Sequence, residues 1–189
     1  MSHVILSRAF TEVVPFEQVA SHLRVWDEED RAYIESLVDA AVCTAESYMN
    51  RLIIESVVLV GLSNFNQALP LGRAKEIKEI TYRLASLDVK VTLSPEDYEL
   101  DLLRNRIVLR RGMSVAGAYD IQVTLVTGWS ADEIPANVKH AVLMLVATLY
   151  EMREDATVGQ GVTVTKVPVT HQYLLNKTQN LRRFKGVGK

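Results

Sequence analysis

A chain of 189 residues, 48% of them hydrophobic, suits one domain with an extension better than two very small domains and can bury a core without disulfide or metal staples. Twenty-one Lys and Arg against 23 Asp and Glu give a net charge of -2, so neither a global basic field for nucleic acid nor an acidic excess typical of disorder is present. Any electrostatic partner has to meet a local patch.

The first residues carry no clear pattern. "PFEQVASHLRV" then places Pro15 at a helix start, with Phe16, Val19 and Leu23 spaced for one apolar face. Asp27 is a credible N-cap with acids in the first turn, and Ile34, Leu37, Ala41, Ala45, Tyr48 and Leu52 follow at steps of three and four, which predicts a long one-sided helix over 27–51. The acidic run "DEED" reads as capping rather than a divalent-ion site, because it lacks the alternating ligands and glycine of an EF-hand loop. The single cysteine, Cys43, excludes an internal disulfide. Its small neighbours in "DAAVCTAES" read as those of a buried structural thiol in a reducing cytoplasm.

From Ile53 the period changes. "LIIESVVLVGL", "EIKEITYRLA", "VKVTL", "YELDLL", "RIVLRRG" and "YDIQVTLVTGW" are β-branched or alternating, with turn signals at Ser94-Pro95, Asn105 and Gly112 to Gly117, and together predict a small, mostly antiparallel sheet. Gly112 to Gly117, beside Arg110 and Arg111, reads as a plain turn rather than a phosphate cradle, since no helix start follows to supply a dipole.

Pro135 restarts the helical pattern in "EIPANVKHAVLMLVATLYEMRED", whose ten residues from Ala141 to Tyr150 include only Thr148 as a polar one. Such a helix needs neighbours on several sides, in this chain or in another copy. The run would span only about 15 Å, half of a bilayer's apolar core, and the N-terminus shows no secretion signal, so a soluble protein is expected. "DATVGQGVTVTKVP" reads as a flexible loop, with a β-hairpin as the alternative. Pro168 starts a last helix carrying Tyr173, Leu174, Leu175 and Leu181, and a basic tail follows: Lys177, Arg182, Arg183, Lys185 and Lys189, with no acid.

Phosphate-loop, dinucleotide, zinc-protease, hydrolase-elbow and CxxC motifs are absent. His3, His22, His140 and His171 fall on different predicted elements without ligand spacing, so no metal and no cofactor is expected.

Three blocks in order resemble the head-tail connector (adaptor, or head-completion) proteins of tailed bacteriophages. The first is "PFEQVASHLRVWDEEDRAYIESLVDAAVCTAESYMNRLI". The second is the strand-rich middle ending in a Gly-aromatic turn, a Pro-started helix and the closing residues Tyr150, Glu151, Arg153 and Glu154; the third is the Pro-started terminal helix with Leu174 and Leu175. The resemblance covers roughly residues 15 to 184. It implies a structural virion protein and no enzyme: a ring of about a dozen copies beneath the portal protein at the head-tail junction, made in the host cytoplasm. Such a ring extends the channel, through which DNA passes without specific binding, docks the next neck or tail-completion protein, and touches no membrane. The fold class expected is α+β, mainly helical: a bundle of short, long, central apolar and C-terminal helices with a small antiparallel sheet inserted between the second and third. Its connector core is 1–154, with helices 15–24, 27–51 and 135–153 and a β insertion over 53–128; residues 155–189 form the flexible loop and C-terminal docking helix with its basic tail. Tyr150, Arg153 and Glu154 are expected at helix-end packing, and Tyr173, Arg182, Arg183, Phe184 and Lys185 at the docking contact. The alternatives are a small DNA-binding module using the basic tail, which the near-neutral charge disfavours, and a small enzyme whose site forms only in three dimensions.

Overall fold

The computed structural model describes residues 3–25, 28–84, 89–113, 115–152, 170–176 and 178. Two compact units emerge: residues 1–11 with 54–130, and 12–53 with 131–189. The chain opens in the first, builds two of the four α-helices of the second, returns to complete the sheet, and leaves again for the other two.

The first unit is a five-stranded sheet in the order β1-β2-β7-β3-β4, every neighbouring pair antiparallel, with a separate hairpin of β5 and β6. The strands are β1 (His3–Arg8), β2 (Ser56–Leu62), β3 (Ala74–Leu84), β4 (Lys90–Thr92), β5 (Tyr98–Asp101), β6 (Arg106–Leu109) and β7 (Ala118–Thr127). Strand alternation makes the sheet one-sided: Val58, Val60 and Leu62 of β2 and Ile121, Val123 and Leu125 of β7 are buried, while the residues between them are only partly covered. Register aligns these sets, with Val58 opposite Leu125 and Val60 opposite Val123. Phe65, Leu69 and Leu71 from the β2–β3 connection are buried too, as are Tyr98 and Ile107 of the hairpin. Phe65 meets Tyr82 of β3 edge-on at 5.9 Å.

The second unit holds α1 (Phe16–Leu23), α2 (Arg31–Met49), α3 (Ala136–Glu151) and α4 (Thr170–Asn176). Pro15 and Pro135 stand at the N-caps of α1 and α3, their fixed φ suited to the entry turn. Left-handed Arg24 and Asn50 close α1 and α2 by returning their N–H groups to the last carbonyls. After α2, buried Glu46 accepts the Ile53 backbone N–H at 2.7 Å, which fixes how the chain leaves the helix. α3 packs against α1, α2 and α4, and no residue from Ala141 to Tyr150 is exposed. The all-round apolar helix therefore finds its neighbours within its own chain. α4 is tied down by Leu175, fully buried, by Asn137 donating to the Leu174 carbonyl at 2.8 Å, and by Tyr48 donating to Asn176 at 2.9 Å.

Several expectations need correction. The fold is not a mainly helical bundle with a small inserted sheet: 39% of the structure is helix and 32% strand, and the sheet has five strands. Part of the reason is that the opening residues, without pattern in sequence, form β1 and extend the sheet. Cys43 is exposed, because it lies two residues from both Ala41 and Ala45, about 200° round the helix from the face they bury. The second α-helix starts at Arg31, with Asp30 at the cap, after a 3₁₀ turn over Glu28–Asp30; Asp27 lies outside the described residues. Pro168 and the 155–168 segment lie outside them as well.

Candidate assembly surface

Apolar side chains left in water are the feature of this structure with the most functional content, because a chain that can bury them at a partner gains what its own fold forgoes. β1 is exposed along its whole length. Consecutive residues of a strand point to opposite faces, so exposure of Val4 (56%), Ile5 (40%) and Leu6 (54%) in succession means that neither face is covered by the described residues. Phe10, just after the strand, is fully exposed.

A second such feature is the tip of the β5–β6 hairpin, where Leu102 and Leu103 are exposed, the latter at 92%. This tip is held from both ends. Asp101 accepts the N–H groups of Leu103 and Arg104 at 3.0 Å each and pairs with the guanidinium groups of Arg104 (3.3 Å) and Arg106 (3.7 Å). Asn105, left-handed at φ 50, donates to the carbonyls of Leu69 and Gly72 and accepts the Ala74 N–H at 2.8 Å, fastening the hairpin to the β2–β3 connection.

The backbone N–H of Arg104, ahead of the neighbouring charges, holds the Asp101 carboxyl below the ordinary carboxylate range. A depressed carboxyl contributes stability that is complete above its ordinary pKa and is lost as the pH falls through the lowered value. In Asp101→Asn, which keeps an acceptor for the turn, the fall in urea midpoint below the ordinary carboxylate range should be shallower than in the parent. Parallel curves for the two proteins would refute this. In β5 itself, burial first and the charge of Glu76 second push the Tyr98 phenol up.

Beside the hairpin, a cleft of ≈ 370 Å³ is lined by Asn64, Phe65, Arg106, Ile107, Val115 and Ile121 among others, with Arg106 its one charged side chain. Arg110, Arg111 and the following glycine form a turn closed by the Met113 N–H on the Arg110 carbonyl.

Of the side chains singled out in the sequence, Tyr150 sits half-buried near the end of α3. Its hydroxyl donates to Asp30 at 3.2 Å and its ring lies 6.3 Å from that of Tyr33. Tyr173 projects from α4, 71% exposed. Arg153, Glu154, Arg182, Arg183, Phe184 and Lys185 lie outside the described residues. His22 and His140, far apart in sequence, come together edge-on at 6.4 Å, but among the described residues no group of three potential metal ligands forms. No helix among the described residues is long and apolar enough to cross a membrane. Sequence reasoning missed β1 and the hairpin tip. The six-residue run "HVILSR" does carry a β-branched core, which was a usable signal.

No protein-family model matches the sequence, and comparison with curated proteins finds no match. Comparison with solved structures does. A chain in the virion of a native gene transfer agent particle superposes with a TM-score of 0.73, one in the neck of the empty particle solved with C6 symmetry with 0.72, and one in the neck of the native particle solved with C12 symmetry with 0.63. Each is 19% identical in sequence, and each match covers 98% of this chain and 99% of the other. The fold is thus shared end to end with chains of that particle.

Proposed function

We propose that this protein is a structural subunit of the neck of a phage-like particle, assembled in several copies as a ring around the DNA path and seated beneath the portal. The observation that carries this reading is the end-to-end likeness to chains of neck structures solved with C6 and with C12 symmetry. Two further facts support it. The sequence blocks from Pro15 onward resemble tailed-phage connectors, and the sheet unit leaves a strand and a hairpin tip apolar and exposed, as a subunit needing lateral neighbours would. The ring has no catalytic task in this reading. Its lumen lets DNA through without gripping it, and the basic residues of the tail, Arg182, Arg183 and Lys185, face protein rather than phosphate.

The test is the native mass of the purified protein over a range of concentrations, alone and with the portal protein of the same particle. A closed multimer with six- or twelve-fold symmetry, alone or on the portal, is the expected result. A chain that stays monomeric at every concentration and ignores the portal would remove the reading. Salt-sensitive, nonspecific DNA binding that is lost on truncation after Gln172 would instead assign the tail to phosphate.

A further inference from the structure

We propose that the open edge of β1 in one copy receives the outer edge of β5 from the next, with the Leu102–Leu103 tip covering the apolar residues of β1. This rests on the ring reading and names the surfaces that close the ring.

The sheet has two edges, and they are built differently. β4 is three residues long and carries Lys90, the kind of short, charged strand that discourages further pairing. β1 is six residues long with Val4, Ile5 and Leu6 at its centre, and among the described residues it pairs only with β2. An edge of that length and composition is a template for strand addition, in which main-chain hydrogen bonds join the two chains and side chains select the partner.

The same unit offers a strand suited to that edge. β5 pairs only with β6 among the described residues, so no described strand occupies its other side, and the apolar tip that follows it is braced by Asp101 and Asn105. Charge distinguishes the two edges. Residues 3–11 hold Arg8 and no acid, whereas residues 95–99 hold Glu96, Asp97 and Glu99 and no base, with Glu96 and Glu99 exposed. Pairing β1 with β5 sets an edge that lacks acids beside the exposed Glu96 and Glu99 and apolar beside apolar, whereas pairing β1 with β1 gains no such charge complement. Because the two surfaces differ, the contact is head-to-tail, the type that generates rings.

The experiment has two arms, both run where the wild-type chain is multimeric. In the first, Cys43→Ser removes the exposed native thiol, and Ser7→Cys with Glu99→Cys provides one thiol on each edge for a short bismaleimide cross-linker. A ladder of covalent dimers, trimers and higher species is expected from the double-cysteine chain, and dimers at most from either single-cysteine chain. In the second, Val4→Lys with Leu6→Lys alters side chains already in water. It should raise the concentration for half-assembly at least tenfold and leave the circular dichroism spectrum and melting midpoint of the monomer unchanged; Glu96→Lys with Glu99→Lys should act alike. Assembled material that gives no ladder, or lysine variants that form rings at the wild-type concentration, overturns this contact and leaves the ring reading standing. A wild-type chain that never multimerises, alone or with the portal, overturns both. Should a lysine variant lose its native spectrum, the cross-linking arm decides.

Discussion

Gly128→Ala should lower the stability of this protein by roughly 3–5 kcal/mol, the sum of a left-handed penalty of about 1–2 and the loss of two or three backbone hydrogen bonds at about 1 each. Gly128 has φ 99, and a Cβ placed on it would lie 2.4 Å from the Ile54 carbonyl oxygen, 2.7 Å from its carbon and 2.8 Å from the Glu55 nitrogen. All three are backbone atoms, so no side chain can swing aside. Relief means separating the start of β2 from the end of β7, where the Glu55 N–H donates to the Trp129 carbonyl at 3.1 Å and Ile54 bridges Trp129 in parallel. That crossing sets the alignment of two central strands. Since domains of this size are stable by only about 5–15 kcal/mol, the variant should populate unfolded chains measurably at 37 °C. Urea unfolding followed by circular dichroism gives the number, and a loss below about 1 kcal/mol would show that the crossing can open without cost.

Asn105→Ala should cost about 2–4 kcal/mol. Its side chain makes three hydrogen bonds to backbone, two given and one received, each contributing around 1 kcal/mol. Alanine also tolerates φ 50 less well than asparagine does. Asn105→Gly separates the two causes: it frees the backbone while deleting the same bonds, and it should be more stable than the alanine variant by up to about 1 kcal/mol. Equal stability of the two would mean that the left-handed turn carries no strain. If Asn105→Ala were within about 0.5 kcal/mol of the parent, the hairpin would not be fastened through this side chain. Its loss matters beyond stability, because Leu102 and Leu103 are presented by this turn.

The contrast between these residues shows what a linear reading can reach. Asn105 stood out as a turn signal, because asparagine accepts left-handed backbone, and the glycine before Trp129 was marked only by the connector resemblance, as part of a Gly-aromatic turn. Nothing local says that the side chain of Asn105 reaches residues 69–74, some thirty positions away, or that Gly128 crosses Ile54, more than seventy away. The same division runs through the candidate surface. Val4, Ile5 and Leu6 are apolar in any reading, and only the strand order, which leaves them at an edge, makes their exposure meaningful.

By itself the sequence determined the elements: six strand segments from Ile53 to Trp129, the Pro-started α1 and α3, and the buried face of α2 through Ile34, Ala41 and Ala45. These follow from local periodicity, in which a residue's side is fixed by its position in a repeat of 2 or 3.6. The tertiary structure alone decided the balance of the fold. It recruited residues 3–8 as a fifth strand, surrounded α3 with helices of its own chain, turned Cys43 outward and left β1 and the hairpin tip uncovered. Those outcomes depend on which distant segments pair, and pairing is set by the burial of whole faces against one another rather than by any run of neighbouring residues.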